Sequence, residues 1–186
     1  MITEHKKDLT FLTSLPGASE RLKIFDADLR DPQSFGAAIE GCVGVFHVAT
    51  PVDFEDSEPE EVVTKRSVDG TLSILNTCLI SKTVKRLVYT SSASAVVVNN
   101  SESLDGHDES SWSDVDYIRA LKLPAGSYMI SKTLTERAVL EFAENNGFDV
   151  VTLIPSFVVG PFICPKFPSS VQITLDIVLG ISKFLS

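Results

Sequence analysis

The sequence is short of the features that mark membrane, secreted and metal-binding proteins. It has no run of about 18 apolar residues that could cross a bilayer, and its first residues, MITEHKKDLTF, contain no apolar core of a secretory signal. Its three cysteines are too few and too widely spaced for a disulfide framework, and its three histidines have no metal-ligand spacing. We therefore expect a cytoplasmic protein with reduced cysteines and no metal, in which His47 is a hydrogen-bonded core residue.

Positive charge is also scarce. The formal net charge is −9 and the sequence pI is about 4.8, which argues against nucleic acid or an anionic membrane as a partner. The 186 residues, 44% of them hydrophobic, are enough for a domain with its own core. The oligomeric state cannot be predicted from the sequence.

Apolar segments of strand length alternate with helical segments along the chain. The capping pattern of Ser57 and Glu60 marks the start of one helix, and Asn146-Gly147 marks the end of another. A polar loop is expected from 99 to about 124. We predict strands at 21–29, 43–50, 86–92 and 148–160, and helices at 31–41, about 58–80 and up to 146. This alternation predicts βαβ units and a parallel sheet whose apolar strands are covered on both faces.

Several polar or small residues follow the predicted strands directly. In a parallel sheet, ligands bind beyond the carboxyl ends of the strands. The groups that four such strands would direct to one crevice are Asp28, Val48, Ala49, Thr50, Thr90, Ser91, Ser92, Pro155 and Ser156.

Tyr128 and Lys132 are four residues apart in the segment GSYMISKT and would share one helix face. Alone, the pair arises often by chance and could be an ordinary surface pair. Together with Ser92 it fits the reduction of a carbonyl group. Tyr128 would supply the proton, the Lys132 cation would favour the phenolate, and the Ser92 hydroxyl would stabilise charge on the carbonyl oxygen.

The sequence resembles the extended short-chain dehydrogenase/reductases, and within them the dihydroflavonol-reductase-like branch of plants. The resemblance covers nearly the whole chain. The segments that carry it are FDADL (25–29), GVFHVATPVDF (44–54), VKRLVYTSSASAV (84–96), DESSWSDVDY (108–117), YMISKTLTERAVLEFAENNG (128–147) and VVTLIPSFVVGPFICPKFPSS (150–170).

The resemblance implies a Rossmann-like doubly wound α/β fold, NADPH as the hydride donor, and a flavonoid-type or aromatic ketone or aldehyde as the substrate. It implies Ser92, Tyr128 and Lys132 as the catalytic residues, with Lys132 also on the nicotinamide ribose. The cofactor-binding residues that it implies are Asp28, Leu29, Val48, Ala49, Thr50, Thr90, Ser91, Tyr128, Lys132, Pro155, Val158 and Ser170.

The sequence departs from this family at several points. The family opens with a strand, a glycine-rich turn and a helix that hold the cofactor pyrophosphate, and the ten glycines here include no such motif. We also expect the substrate-covering lobe of the family to be absent from this sequence. We therefore expect an incomplete Rossmann-like domain over 1–160, the start of a truncated substrate-binding region over 161–186, exposed sheet edges, and reduced or absent NADPH binding. Val97 stands where dihydroflavonol reductases carry Asn or Asp, which argues against dihydroflavonol itself.

Two other interpretations remain open. The chain could be a non-catalytic fragment, a partial copy of a longer enzyme. It could also perform NAD(P)-dependent sugar-nucleotide epimerisation or dehydration, because those enzymes share the serine, tyrosine and lysine.

Overall fold

The computed structural model describes residues 8–51, 57–100 and 106–181. The helices are α1 (Thr10–Thr13), α2 (Ala18–Arg21), α3 (Gly36–Ile39), α4 (Glu60–Ser81), α5 (Val115–Leu121), α6 (Gly126–Asn146) and α7 (Ser169–Val178), with 3-10 turns at Pro32–Phe35 and Ala93–Ala95. The strands are β1 (Gly44–His47), β2 (Arg86–Thr90) and β3 (Val150–Leu153). No helix in these three ranges is long and apolar enough to span a bilayer.

The three strands form one parallel sheet in the order β1-β2-β3. Val45 pairs with Leu87 and His47 with Tyr89 in the first ladder, and Thr90 pairs with Leu153 in the second. The helix α4 connects β1 to β2, and α5 and α6 lie between β2 and β3. The predicted α/β class and parallel sheet are confirmed.

The hydrophobic core lies on one face of this sheet. Leu87 and Tyr89 of β2 are buried with Leu75 and Cys78 of α4 and Val139 of α6. Side chains alternate between the two faces along a strand, so the register also directs Val45 and His47 to this face. Cys42, Cys78 and Cys164 are free, as predicted.

The other face of the sheet is open in the described part of the chain, so the prediction that both faces are covered is wrong there. Phe46 is 77% exposed and Val48 is 62% exposed beside β1. Val151 and Leu153 of β3 are 37% and 49% exposed. The segment 148–160 was expected to be a buried strand, but β3 is a short strand at the sheet's edge. The expectation of exposed strand edges is confirmed.

The strand predicted at 21–29 is not formed. Residues 22–27 have no regular structure, and Asp28 makes only an isolated antiparallel bridge with Asp31. Four strands were predicted, but the described residues form a sheet of three. A strand is stable only against a neighbouring backbone, and this segment joins neither of the two ladders.

The helices α4 and α6 match predicted helices, and the predicted helix 31–41 is a 3-10 turn followed by the short α3. The helices α1, α2, α5 and α7 have no counterpart in the sequence predictions. α4 begins at Glu60 with Pro59 as its N-cap and no side-chain cap, so the capping box of Ser57 and Glu60 is not formed. The side chain of Glu60 instead pairs with Arg119. The segment up to 124, predicted as a loop, contains α5, which Asp114 caps by accepting a hydrogen bond from the Tyr117 N–H. Residues 101–105 of that loop lie outside the described ranges.

The chain divides into two compact units. One comprises Phe25–Ser156, and the other comprises Met1–Ile24 together with Phe157–Ser186. The sheet, its core and helices α3 to α6 belong to the first unit, and α1, α2 and α7 belong to the second. The predicted domain boundary between 160 and 161 stays a prediction.

Candidate active site

Tyr128 and Lys132 lie one turn apart on α6, as predicted. The helix runs from Gly126 to Asn146, and the next residue, Gly147, has a positive φ of 58° and ends it with backbone hydrogen bonds to the Ala143 and Glu144 oxygens. Tyr128 is half-buried and Lys132 is 3% exposed. The helix therefore carries the lysine against the sheet and leaves part of the tyrosine accessible.

Lys132 is fixed at the carboxyl end of β2. Its Nζ donates a hydrogen bond of 3.0 Å to the Thr90 carbonyl oxygen and lies 5.3 Å from the centre of the Tyr89 ring. Burial lowers the pKa of Lys132 to about 8, and the nearby Glu136 carboxylate opposes this decrease. The ammonium form therefore still predominates at neutral pH.

Ser92 follows β2 directly and caps the 3-10 turn Ala93–Ala95. Its Oγ accepts hydrogen bonds from the Ser94 N–H at 3.2 Å and from the Ser94 hydroxyl at 2.8 Å. Because a hydroxyl oxygen has two lone pairs and one hydrogen, these two bonds leave the Ser92 hydrogen free to donate. The structure thus places a polarised hydroxyl donor two residues after the carbonyl that holds Lys132.

A buried carboxylate that the sequence analysis missed lies next to these residues. Glu136 is 2% exposed and accepts a hydrogen bond from the Ser91 hydroxyl. It lies one turn beyond Lys132 on α6. The signal was present in the sequence, since Tyr128, Lys132 and Glu136 follow each other at intervals of four residues.

His47, the last residue of β1, lies beside Tyr89 and near these residues. It is 4% exposed, and its Nε2 lies 3.0 Å from the Thr71 hydroxyl of α4. Its ring lies 5.6 Å from that of Tyr89. Burial, together with the positive charge of Lys132, lowers its pKa to about 4. The prediction of a hydrogen-bonded core histidine is confirmed.

Half of the predicted cofactor residues lie at or just beyond the carboxyl ends of the strands. Val48, Ala49 and Thr50 come directly after β1, with Val48 and Ala49 exposed. Beyond β2 and β3 the backbones continue side by side: the Ser91 N–H donates to the Leu153 oxygen at 2.8 Å, and the Ala93 N–H donates to the Pro155 oxygen at 2.9 Å. The structure therefore brings Thr90, Ser91, Ser92 and Pro155 together.

Asp28 and Leu29 lie in a tight turn instead of at a strand end. The Asp28 carboxylate forms an exposed ion pair of 2.6 Å with Arg30. Leu29 packs against the core and approaches Gly70 of α4, where an added Cβ would lie 3.2 Å from the Leu29 oxygen. The lack of a side chain at Gly70 thus allows this segment to pack closely against α4.

Val158 and Ser170 belong to the other compact unit. There the Ser170 hydroxyl donates a hydrogen bond of 2.8 Å to the Val158 oxygen, so these two predicted residues are in contact.

A cavity of about 260 Å³ lies where α5 meets the starts of α4 and α6. Its lining includes the ion-paired side chains of Glu60 and Arg119, together with Ser127. None of the predicted site residues lines it, so we do not assign it to the site.

Comparisons with known proteins identify relatives over most of the chain. Vestitone reductase of Medicago sativa is 61% identical over 177 residues, which are 95% of this chain and 54% of that protein. Dihydroflavonol 4-reductase of Callistephus chinensis is 48% identical over 97% of this chain and 49% of that protein. The chain thus spans about half the length of the curated relatives it matches.

Solved structures give the same result. The crystal structure of alfalfa vestitone reductase superposes with a TM-score of 0.82 and 57% identity, over 92% of this chain and 52% of that one. Yeast methylglyoxal/isovaleraldehyde reductase Gre2, solved in complex with NADPH, superposes with a TM-score of 0.61 and 29% identity over 72% of this chain and 43% of that one. Residues 5–174 match the 3-beta hydroxysteroid dehydrogenase/isomerase family. The chain therefore belongs to the 3-beta hydroxysteroid dehydrogenase/isomerase family.

Proposed function

We propose that this chain carries the catalytic half of an NADPH-dependent reductase acting on a flavonoid-like or aromatic ketone or aldehyde. The observation that carries the proposal is the buried Lys132, anchored on the Thr90 oxygen one helical turn from Tyr128 and beside Ser92. Lysine side chains are almost never fully buried unless they are paired, and Lys132 is 3% exposed.

Each of the three side chains has a distinct role in this reaction. The Ser92 hydroxyl donates to the substrate's carbonyl oxygen and stabilises the charge that develops there. Tyr128 transfers its phenolic proton to that oxygen, which completes the alcohol. The Lys132 ammonium stabilises the negative charge left on the tyrosine oxygen. NADPH, when bound, supplies the hydride that adds to the carbonyl carbon.

The residues at the carboxyl end of β2 suit the nicotinamide end of such a cofactor. An ammonium group has three N–H donors. Among the described residues, the Thr90 oxygen accepts a hydrogen bond from one of the three donors of Lys132. The remaining donors could bind the ribose hydroxyls. At the adenine end, Asp28 would act through its backbone, or its ion pair with Arg30 would have to open.

The substrate class is supported by the relatives. Vestitone reductase and dihydroflavonol 4-reductase are named for flavonoid-type substrates. No feature of the described site favours a sugar nucleotide over an aromatic carbonyl compound.

The test is NADPH binding by the purified chain, followed by nicotinamide fluorescence and calorimetry. Lys132→Ala should weaken saturable binding at least tenfold. Lys65→Ala is the matched control, because Lys65 is exposed and its ion pair in the described ranges is with Asp69 on α4. Turnover is then assayed with an isoflavanone and with a UDP-sugar. A folded chain that does not bind NADPH would contradict the proposal and favour a non-catalytic fragment.

A further inference from the structure

Glu136 is a buried charge that the proposed reaction does not use. It is 2% exposed on α6, and its carboxylate accepts the hydrogen bond from the Ser91 hydroxyl. An ionised carboxylate in the interior is costly unless it is paired and hydrogen-bonded. Its position therefore needs an explanation beyond packing.

Two consecutive residues of the sheet bind two consecutive turns of α6. The Thr90 oxygen accepts a hydrogen bond from Lys132, and the Ser91 hydroxyl donates one to Glu136. The next residue is Ser92. The two bonds together fix the position of α6 along the strand end, and with it the position of Tyr128 relative to Ser92.

The same carboxylate acts electrostatically on Lys132. The titratable groups around this ammonium are His47 on β1, Tyr89 on β2, and Tyr128 and Glu136 on α6. His47 and Tyr89 are neutral near pH 7, because burial lowers the pKa of the histidine to about 4 and raises that of the tyrosine. Glu136 is therefore the negative charge that opposes the desolvation of Lys132.

We infer that Glu136 is a positioning residue of this site, which keeps Lys132 charged through its carboxylate and aligns Ser92 through its hydrogen bond to Ser91. The inference rests on the proposed function for its catalytic meaning. Its physical content concerns only this chain's own side chains and can be measured without cofactor or substrate.

The experiment titrates Lys132 in the intact chain by NMR. Lysine is labelled with ¹³C at Cε, and the Lys132 signal is assigned from its loss in Lys132→Met. Glu136→Gln retains the shape and an acceptor for Ser91 but removes the charge, so the Lys132 midpoint should fall by about one pH unit. Glu141→Gln is the control, since Glu141 lies exposed on the same helix and should leave the midpoint unchanged.

An unchanged midpoint in folded Glu136→Gln would overturn the inference, because a purely structural role does not alter the lysine's titration. If Glu136→Gln does not fold, Glu136→Asp decides. The aspartate side chain is one methylene shorter and moves the carboxylate back toward its own backbone, so the Lys132 midpoint should still fall. An unchanged Lys132 midpoint in Glu136→Asp overturns the inference. A native chain that fails to bind NADPH but shows the shift would overturn the proposed function and leave the interaction of Glu136 with Lys132 standing.

Discussion

The Lys132 Nζ donates a 3.0 Å hydrogen bond to the Thr90 carbonyl oxygen from a position that is 3% exposed. A single neutral acceptor does not replace the hydration of an ammonium ion, which is why burial lowers the pKa of Lys132 to about 8 from its ordinary 10.5. Burial of the charged Lys132 therefore lowers the free energy of unfolding by an amount that depends on pH.

The first prediction follows from this cost. Above pH 8 the folded chain releases the Lys132 proton, while the unfolded chain keeps it up to about pH 10.5. The unfolded state then binds more protons, so the free energy of unfolding rises with pH. We expect a rise of roughly 2 kcal/mol between about pH 7 and about pH 9.5, measured by urea unfolding. Lys132→Met should lack it, and an equal rise in that variant would refute the assignment.

The second prediction concerns His47, whose effect on stability falls on the acid side of neutral pH. Its pKa is about 4 in the folded chain and ordinarily 6.5, so the unfolded chain takes up the proton first as the pH falls. This should lower the free energy of unfolding by roughly 2 kcal/mol between about pH 7 and about pH 4.5.

Carboxylates also titrate in that range, so the measurement is a difference. His47→Gln retains a partner for Thr71 but cannot take up the proton. Its acid-induced loss of stability should be smaller than that of the native chain by this amount. Parallel pH profiles of the two proteins would show that His47 does not contribute.

The third prediction tests how α4 holds the turn that contains Asp28 and Leu29. A Cβ at Gly70 would lie 3.2 Å from the Leu29 backbone oxygen. Gly70→Val should lower the free energy of unfolding by about 2 kcal/mol, since steric strain exceeds the gain in helix propensity. Gly36→Ala is the control, because it has negative φ and no atom within 4 Å of the added Cβ. Equal effects of the two substitutions would exclude the steric explanation.

The catalytic candidates could be predicted from the sequence because their relationships are local. Tyr128 and Lys132 are one helical turn apart, and Ser92 comes directly after an apolar strand. The contacts between them depend on residues far apart in the chain. The Thr90–Lys132 and Ser91–Glu136 hydrogen bonds span 42 and 45 residues. Glu136 was therefore missed, although its spacing from Lys132 was visible.

Errors in the fold prediction have a similar cause. Residues 21–29 have the composition of a strand, but pairing depends on a neighbour that the local sequence does not reveal. The continuous apolar sequence of β1 predicts a strand that is covered on both faces, but the structure leaves Phe46 exposed. The apolar composition of a strand indicates that its side chains are buried, but it does not identify the element that packs against them.

The last prediction concerns that open face. Phe46 is 77% exposed and Val48 is 62% exposed, beside a β1 edge that pairs with no other strand in the described part of the chain. Exposed apolar strand edges promote association between chains. Phe46→Lys should therefore lower self-association of the 186-residue chain, measured by sedimentation velocity at several concentrations. The free energy of unfolding should change by less than about 1 kcal/mol, because this side chain contributes little to the core. Gln33→Lys adds the same charge at an exposed position away from the sheet. If both variants reduce association equally, the open face is not responsible.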